Sequence, residues 1–303
     1  MIAKAEKVEP EHCITARRPR FDFSNTRLHW AGGRAQTSHE MNFLHVAIPG
    51  VERAFCKLFK HVVETEHRLS DERLVDISGF VSQEALHARA HSQAFRWMQD
   101  EFGLGASKSK KRSETAAWFL LNIRSENKRL DHGLVCFELA SAAALEQFTS
   151  VVGRWMYSED AHLDELNPDP EMMLLLNWHG AEEVEHETVA YDVHQEVQRY
   201  FRRLTRAGVM GVVFPVAFVV WVTTSRELMN KDTLSSARFS FKRFLQDGRA
   251  GYIPSIGMVT HSAVSYCLPG FSPNGARGWD EERAREWLAA FDQSNSLFDQ
   301  GTE

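Results

Sequence analysis

Within Trp178-His-Gly-Ala-Glu-Glu-Val-Glu-His-Glu187, the carboxylate of Glu183 and the imidazole of His186 stand three residues apart. On a helix that spacing sends both side chains out of one face. Gln83-Glu-Ala-Leu-His-Ala-Arg-Ala-His91 repeats the pair as Glu84 and His87 and adds His91 one turn on. Two Glu-x-x-His helices, each joined by one Glu from another helix, make the ligand set of carboxylate-bridged di-metal bundles. The rest of the chain must then supply two more glutamates, each on its own helix.

A helix is expected from Val51 to about Arg68, with Phe55, Leu58, Phe59 and Val62 as its apolar stripe. Glu52 lies on that stripe, although a Glu in a first turn also complements the helix dipole. Ser70-Asp71-Glu72 caps a second helix that runs to about Phe102 and carries Glu84, His87 and His91. Gly103 to Ser113, rich in Gly, Ser and Lys, reads as a loop. The third helical region, His132 to Tyr157, is apolar nearly all round. A carboxylate there is costly unless it is paired or binds metal. Of its two, Glu146 is the expected ligand and Glu138 a supporting or exposed residue. Asn167-Pro-Asp-Pro170 breaks the chain, and a fourth helix starts near Glu171, carries the Glu183/His186 pair and continues past Val189 and Val193.

The four helices thus present Glu52, Glu84/His87, Glu146 and Glu183/His186 in order. Glu182, Glu183, Glu185 and Glu187 cannot all face inward, so most of them read as a solvated face. The three-residue step to His186 selects Glu183, and Glu182, four residues from His186, is next in line. His91 and His179 stay open between extra ligands, supporting partners and structural residues.

At these residues the sequence resembles a bacterial family of predicted metal-dependent hydrolases placed in the ferritin-like group. The likeness rests on Arg18-Pro-Arg-Phe-Asp-Phe-Ser24, Ile48-Pro-Gly-Val-Glu52, Gln83 to His91, Leu145-Glu-Gln-Phe-Thr149 and Trp178 to His186, and covers most of residues 15–230. The two histidine stretches are its specific part. It implies an all-α, ferritin-like four-helix bundle with additional C-terminal helices.

Four carboxylates and two imidazoles form a hard donor set that suits two Fe ions, or Mn or mixed Fe/Mn, better than Zn. With iron the expected chemistry is O2-dependent oxidation of an apolar small molecule or lipid. The alternative is hydrolysis by a metal-activated water, and a third reading is a non-catalytic metal-binding or scaffold protein. No G-x-S-x-G stretch is present, so a hydrolase would have to be metal-based.

Residues 207–225, AGVMGVVFPVAFVVWVTTS, carry no charge and follow Arg199, Arg202, Arg203 and Arg206. Their length approaches a bilayer core, but Pro215 interrupts them. The preferred reading is a buried or membrane-dipping helix beside the bundle, with peripheral membrane contact next. Beyond it, Phe239 to Leu245 and Glu281 to Phe291 read as helices, joined by a Gly/Pro-rich connector from Gly248 to Trp279.

The chain divides on this reading into an extended arm (1–38), a di-metal bundle (39–206) and a helical extension (207–303). A net charge of −6 gives no footing for nucleic acid. The basic clusters Arg17-Arg18-Pro19-Arg20 and Lys108 to Arg112 read as solvated loops. Cys13, Cys56, Cys136 and Cys267 form no CxxC pair, which fits a reducing compartment. Met1 to Arg20 has no apolar run of a secretory signal. The expected location is the cytoplasm, with contact to the inner face of the membrane allowed, and a homodimer is compatible with the sequence.

Overall fold

A computed structural model describes residues 14–66, 68–273 and 279–300, and the described residues are helical with no strand. The helices are α1 (Ala35–Thr65), α2 (Asp71–Phe102), α3 (Ser107–Leu121), α4 (Lys128–Tyr157) and α5 (Pro170–His186). They continue as α6 (Val189–Val197), α7 (Arg202–Lys231), α8 (Phe241–Arg249), α9 (Ile256–Cys267) and α10 (Trp279–Gln300).

Local chemistry sets several of these boundaries. Ser70 Oγ accepts from the Arg73 N–H at the start of α2, and Gly103 closes that helix in the left-handed conformation at φ 62°. Asp169 accepts from the N–H groups of Glu171 and Met172, with Pro170 in the first turn of α5. Helices α1, α2, α5 and α4 pack as a ring of neighbours, and α7 lies across α1 and α4.

Two apolar clusters fill the molecule. One gathers Trp30, Trp97, Trp155, Trp178 and Trp221. The other gathers Phe55, Phe59, Phe80, Leu139 and Val193. The histidine motifs sit where the two meet, with His87 edge-on to Trp178 and His186 edge-on to Phe80, each at 4.9 Å between ring centres.

Several sequence expectations need correction. The first helix starts at Ala35 rather than Val51 and runs through Pro49. Proline lacks the N–H that would bond the carbonyl four residues back. The nearly unbroken burial from Gln36 to Pro49 shows packing overriding that local preference. The stretch read as an arm therefore loses its last residues to α1, and its first thirteen lie outside the described residues. Ser107–Leu121 is a helix, so the expected loop from Gly103 to Ser113 ends at Ala106. The fourth helix stops at His186 and resumes at Val189. The expected connector from Gly248 contains α9, capped by Ser255 Oγ on the Met258 N–H; 274–278 lie outside the described residues.

Arg17 is not solvated: its guanidinium reaches Glu182, Glu185 and Asp292. Among the described residues Cys56, Cys136 and Cys267 form no disulfide; Cys13 lies outside them. Helix α7 buries Val209, Met210, Val213 and Trp221, whereas Val212 and Val219 are exposed. By length and composition α4 and α7 could each cross a membrane, but α4 is mostly buried within the protein.

Candidate metal centre

Ligand atoms of Glu84, His87, Glu183 and His186 lie within 4.8 Å of one another, all from buried residues of α2 and α5. The Oε1 atom of Glu84 is 3.5 Å from His87 Nδ1 and 3.3 Å from His186 Nε2. Glu183 Oε1 is 3.6 Å from His87 Nδ1 and 2.7 Å from His179 Nε2. From α4, Glu146 Oε2 stands 3.1 Å from His186 Nδ1. From α1, Glu52 Oε1 stands 3.6 Å from His179 Nε2. All six residues expected as ligands therefore converge, and Glu52, His91 and His179 form a second group of close donor atoms.

Among the described residues, both carboxylate oxygens of Glu52, Glu84 and Glu146 are buried without a hydrogen-bond partner, as are His87 Nδ1, His179 Nε2 and both nitrogens of His186. Buried polar atoms are almost always paired, so a cluster of orphans needs a cause. Several are close to one another yet misaligned for hydrogen bonding. Donor atoms aimed at a shared third point have this geometry, and a divalent cation fits it.

The charge balance agrees. Burial, and then the Glu84 carboxylate, holds Glu52 well above the usual carboxylate range. Burial and the neighbouring Glu183 push Glu146 up to about 8. Burial would also raise Glu183, but the His179 and His186 imidazoles outweigh it and hold it at about 2. Burial opposes a charge on His186, while Glu183 and Glu146 raise it to about 9. Crowded carboxylates thus retain protons where a cation would otherwise balance them.

The supporting contacts separate the remaining candidates. Glu182, next in line to Glu183, points its Oε2 at His87 Nε2 at 2.9 Å, while its Oε1 accepts from Arg17. That leaves His87 Nδ1 free to face Glu84 and Glu183, the carboxylate–histidine arrangement that orients metal ligands. Glu138 stands apart: its carboxylate accepts from the Ile123 N–H at 2.5 Å and from Arg124. The cost of burying it in α4 is met by that pairing, so it neither supports the site nor faces solvent.

A histidine file, not anticipated as a whole, backs the cluster. His45 Nε2 contacts Met172 Sδ at 3.2 Å, His45 Nδ1 meets His91 Nδ1 at 2.7 Å, and His91 Nε2 meets His179 Nδ1 at 2.9 Å. A thioether can only accept, so the proton on His45 belongs on Nε2. His91 then donates from Nδ1, and His179 donates from Nδ1 to His91 Nε2. With a cation in place of the proton between His179 Nε2 and Glu183, the Nε2 lone pair would be free to serve as a ligand. His45 carries a sequence signal: it precedes Glu52 by seven residues on α1 and so shares its face.

Glycines govern the approach of α4 to α5. A Cβ on Gly153 would stand 2.4 Å from the Gly180 carbonyl oxygen. The backbones meet there, two turns from Glu146 on α4 and one from Glu183 on α5.

Glu52, Glu84, Glu146 and Glu183 form the floor of a cavity whose walls are apolar side chains of α1, α3, α4 and α7. It encloses about 730 Å³ including its open mouth.

No curated protein and no solved structure matches the chain. A family model described as predicted metal-dependent hydrolase matches residues 15–276. Together with buried Glu/His groups that could hold a metal, that match places the chain in the predicted metal-dependent hydrolase family.

Proposed function

We propose that the protein is a metal-dependent hydrolase whose centre is held by Glu52, Glu84, His87, Glu146, Glu183 and His186, with His179 as a further ligand. The observation that carries this reading is the convergence of partnerless buried carboxylate and imidazole atoms at the floor of an apolar cavity. The Glu-x-x-His pairs on α2 and α5, with one Glu each from α1 and α4, follow the ferritin-like ligand plan. Oxygen and imidazole donors without thiolate suit manganese or iron, and the added imidazole of His179 also suits zinc. The family description favours hydrolysis over the O2-dependent oxidation expected from the ligand pattern alone.

When bound, the metal supplies Lewis acidity and an activated water. The chain supplies the rest. Phe43, Phe55, Leu145 and Val220 wall the cavity and exclude bulk water. An apolar substrate seated between them places its hydrolysable bond at the floor, where the polar atoms are concentrated. Glu52 lies on the cavity floor; with one oxygen on the metal and its proton displaced by the cation, its other oxygen would be placed to receive a proton from the activated water. Glu182 and the histidine file hold His87 and His179 in the tautomers the site needs.

The test begins with chelator-treated protein reloaded separately with Mn²⁺, Fe²⁺ or Zn²⁺. Bound metal is counted, and hydrolysis of p-nitrophenyl esters of graded chain length is followed in wild type, Glu84→Gln and His186→Ala. About one to two metals per chain, with ester cleavage lost in both variants, is the expected outcome. Absence of stoichiometric metal would sink the proposal. An O2-dependent optical change without ester cleavage would return the oxidative reading to first place.

A further inference from the structure

We propose that the face formed by α3 and α7 docks on an anionic lipid bilayer and admits an acyl chain from it into the cavity above the carboxylate cluster. The choice of acyl substrate rests on the proposed hydrolytic centre; the docking does not.

Two contacts set the register of these helices. Ser109 donates to Glu227, and Arg112 donates to Thr223. As the α3 number rises the α7 number falls, so the helices run antiparallel, and extending that register two turns past Arg112 brings Phe119 to the level of Val216. Phe119 and Trp118 are 59% and 51% exposed and stack edge to face at 4.9 Å. Opposite them α7 exposes Val212 and Val219 at 54% and 51%, with Pro215 between. An aromatic pair and a proline-bearing aliphatic stripe thus form one outward apolar band.

The cavity opens on the same band. Its walls include Ala116 from α3 and Val216 and Ala217 from α7, all half-buried. A chain entering there would pass between apolar walls to Glu52 and Glu183.

Charge identifies the occupant. In a protein of net charge −6, α3 carries four basic residues against one Glu, and α7 five against one Glu. Lys108, Lys111, Arg112 and Arg226 are exposed at one end of the band, and Arg202 and Arg203 at the other. Cations flanking an apolar stripe match anionic headgroups over acyl chains. A second copy of this face would bring like charges together and plug the cavity. From Gly208 to Val219 the exposed stripe runs roughly 18 Å, well short of the roughly 30 Å of a bilayer core, and its other side is packed on the bundle. The helix is therefore placed to lie on the surface.

The experiment sediments the full chain with phosphatidylcholine vesicles, with and without roughly one-third phosphatidylglycerol. It uses wild type, Trp118→Ser/Phe119→Ser and Lys108→Glu/Lys111→Glu, each checked by thermal melting. Binding to the anionic vesicles only, weakened roughly tenfold or more in both variants, is expected. In parallel, fluorescence of cis-parinarate reports the cavity: Ala217→Trp should weaken its binding at least about tenfold while vesicle binding persists. Vesicle binding that both double variants leave intact, or a wild-type dimer by sedimentation velocity that ignores vesicles, would overturn the docking. Parinarate binding indifferent to Ala217→Trp would overturn the cavity as the acyl site. Vesicle binding is read on chelator-treated and metal-loaded protein alike, so failure of the metal centre leaves this result standing.

Discussion

His91 Nε2 and His179 Nδ1 are 2.9 Å apart, and the His45–Met172 contact behind them dictates which of the two carries the proton. His91 itself need not touch a metal to matter: its acceptor nitrogen keeps the His179 proton on Nδ1. A His91→Phe substitution removes that acceptor. Outer partners of ligating histidines govern metal affinity by roughly 10–100-fold. The expected outcome is a loss of that order at the position served by His179, read by metal titration. Histidine NMR of nitrogen-labelled, zinc-loaded protein should show the His179 tautomer disturbed. Unchanged affinity and an unchanged tautomer would reduce His91 to filler.

Glu182 makes the matching case on the other motif. Its carboxylate accepts from His87 Nε2–H at 2.9 Å and is held by the Arg17 backbone N–H and guanidinium, each at 3.3 Å. Glu182→Gln keeps the side-chain shape but weakens the acceptor, and metal affinity should fall by roughly tenfold. Arg17→Met should produce a smaller loss, and the double variant little more than Glu182→Gln alone, because both act through His87. Fully additive losses would show two independent effects.

These relationships mark how far the sequence could be read. Three-residue spacing is a property of one helix, so Glu84 with His87 and Glu183 with His186 were legible without a fold. Glu146 was legible from the cost of a carboxylate in an apolar helix, but the same argument applied equally to Glu138, and only the position of Arg124 separates them. Arg17 reaches Glu182 across 165 residues of chain, and no local pattern encodes such a pairing. The sequence placed the first helix too late because Pro49 is a local breaker, whereas burial on both sides of it is a tertiary fact. Lysine-rich α3 was hidden by its composition: its apolar side emerges only after Ser113.

The Gly153–Gly180 crossing predicts a backbone requirement. A methyl group on Gly153 would stand 2.4 Å from a carbonyl oxygen of the facing helix, so α4 and α5 must separate. Gly153→Ala should cost about 1–3 kcal/mol, or roughly 2–5 °C in Tm for a chain of this size. It should also lower metal occupancy, since Glu146 and Glu183 ride on the separating helices. Gly133 provides the contrast on the same helix: a Cβ there meets nothing within 4 Å among the described residues. Gly133→Ala should stabilise by about 0.5–1 kcal/mol through helix propensity and leave metal content alone. Equal melting shifts in the two variants would remove the close approach as the cause.

Glu40 predicts a pH-dependent stability unrelated to the metal. It is buried on α1, accepts from Gln36 Nε2 at 2.7 Å through Oε1, and leaves Oε2 without a partner among the described residues. Burial is the main cause that raises its pKa from 4.5 to about 8, with Gln36 opposing and Asp247 reinforcing the shift. Between those two values the folded protein holds a proton that the unfolded chain has released. The stabilisation is therefore complete below pH 4.5, declines as pH rises, and is lost once pH passes about 8. Glu40→Gln keeps an acceptor for Gln36 and carries no charge at any pH. Its Tm should match wild type at about pH 4 and exceed it by roughly 5–10 °C at about pH 9. A Tm difference that stays flat across that range in paired melting curves would show that Glu40 is already ionised in the folded protein.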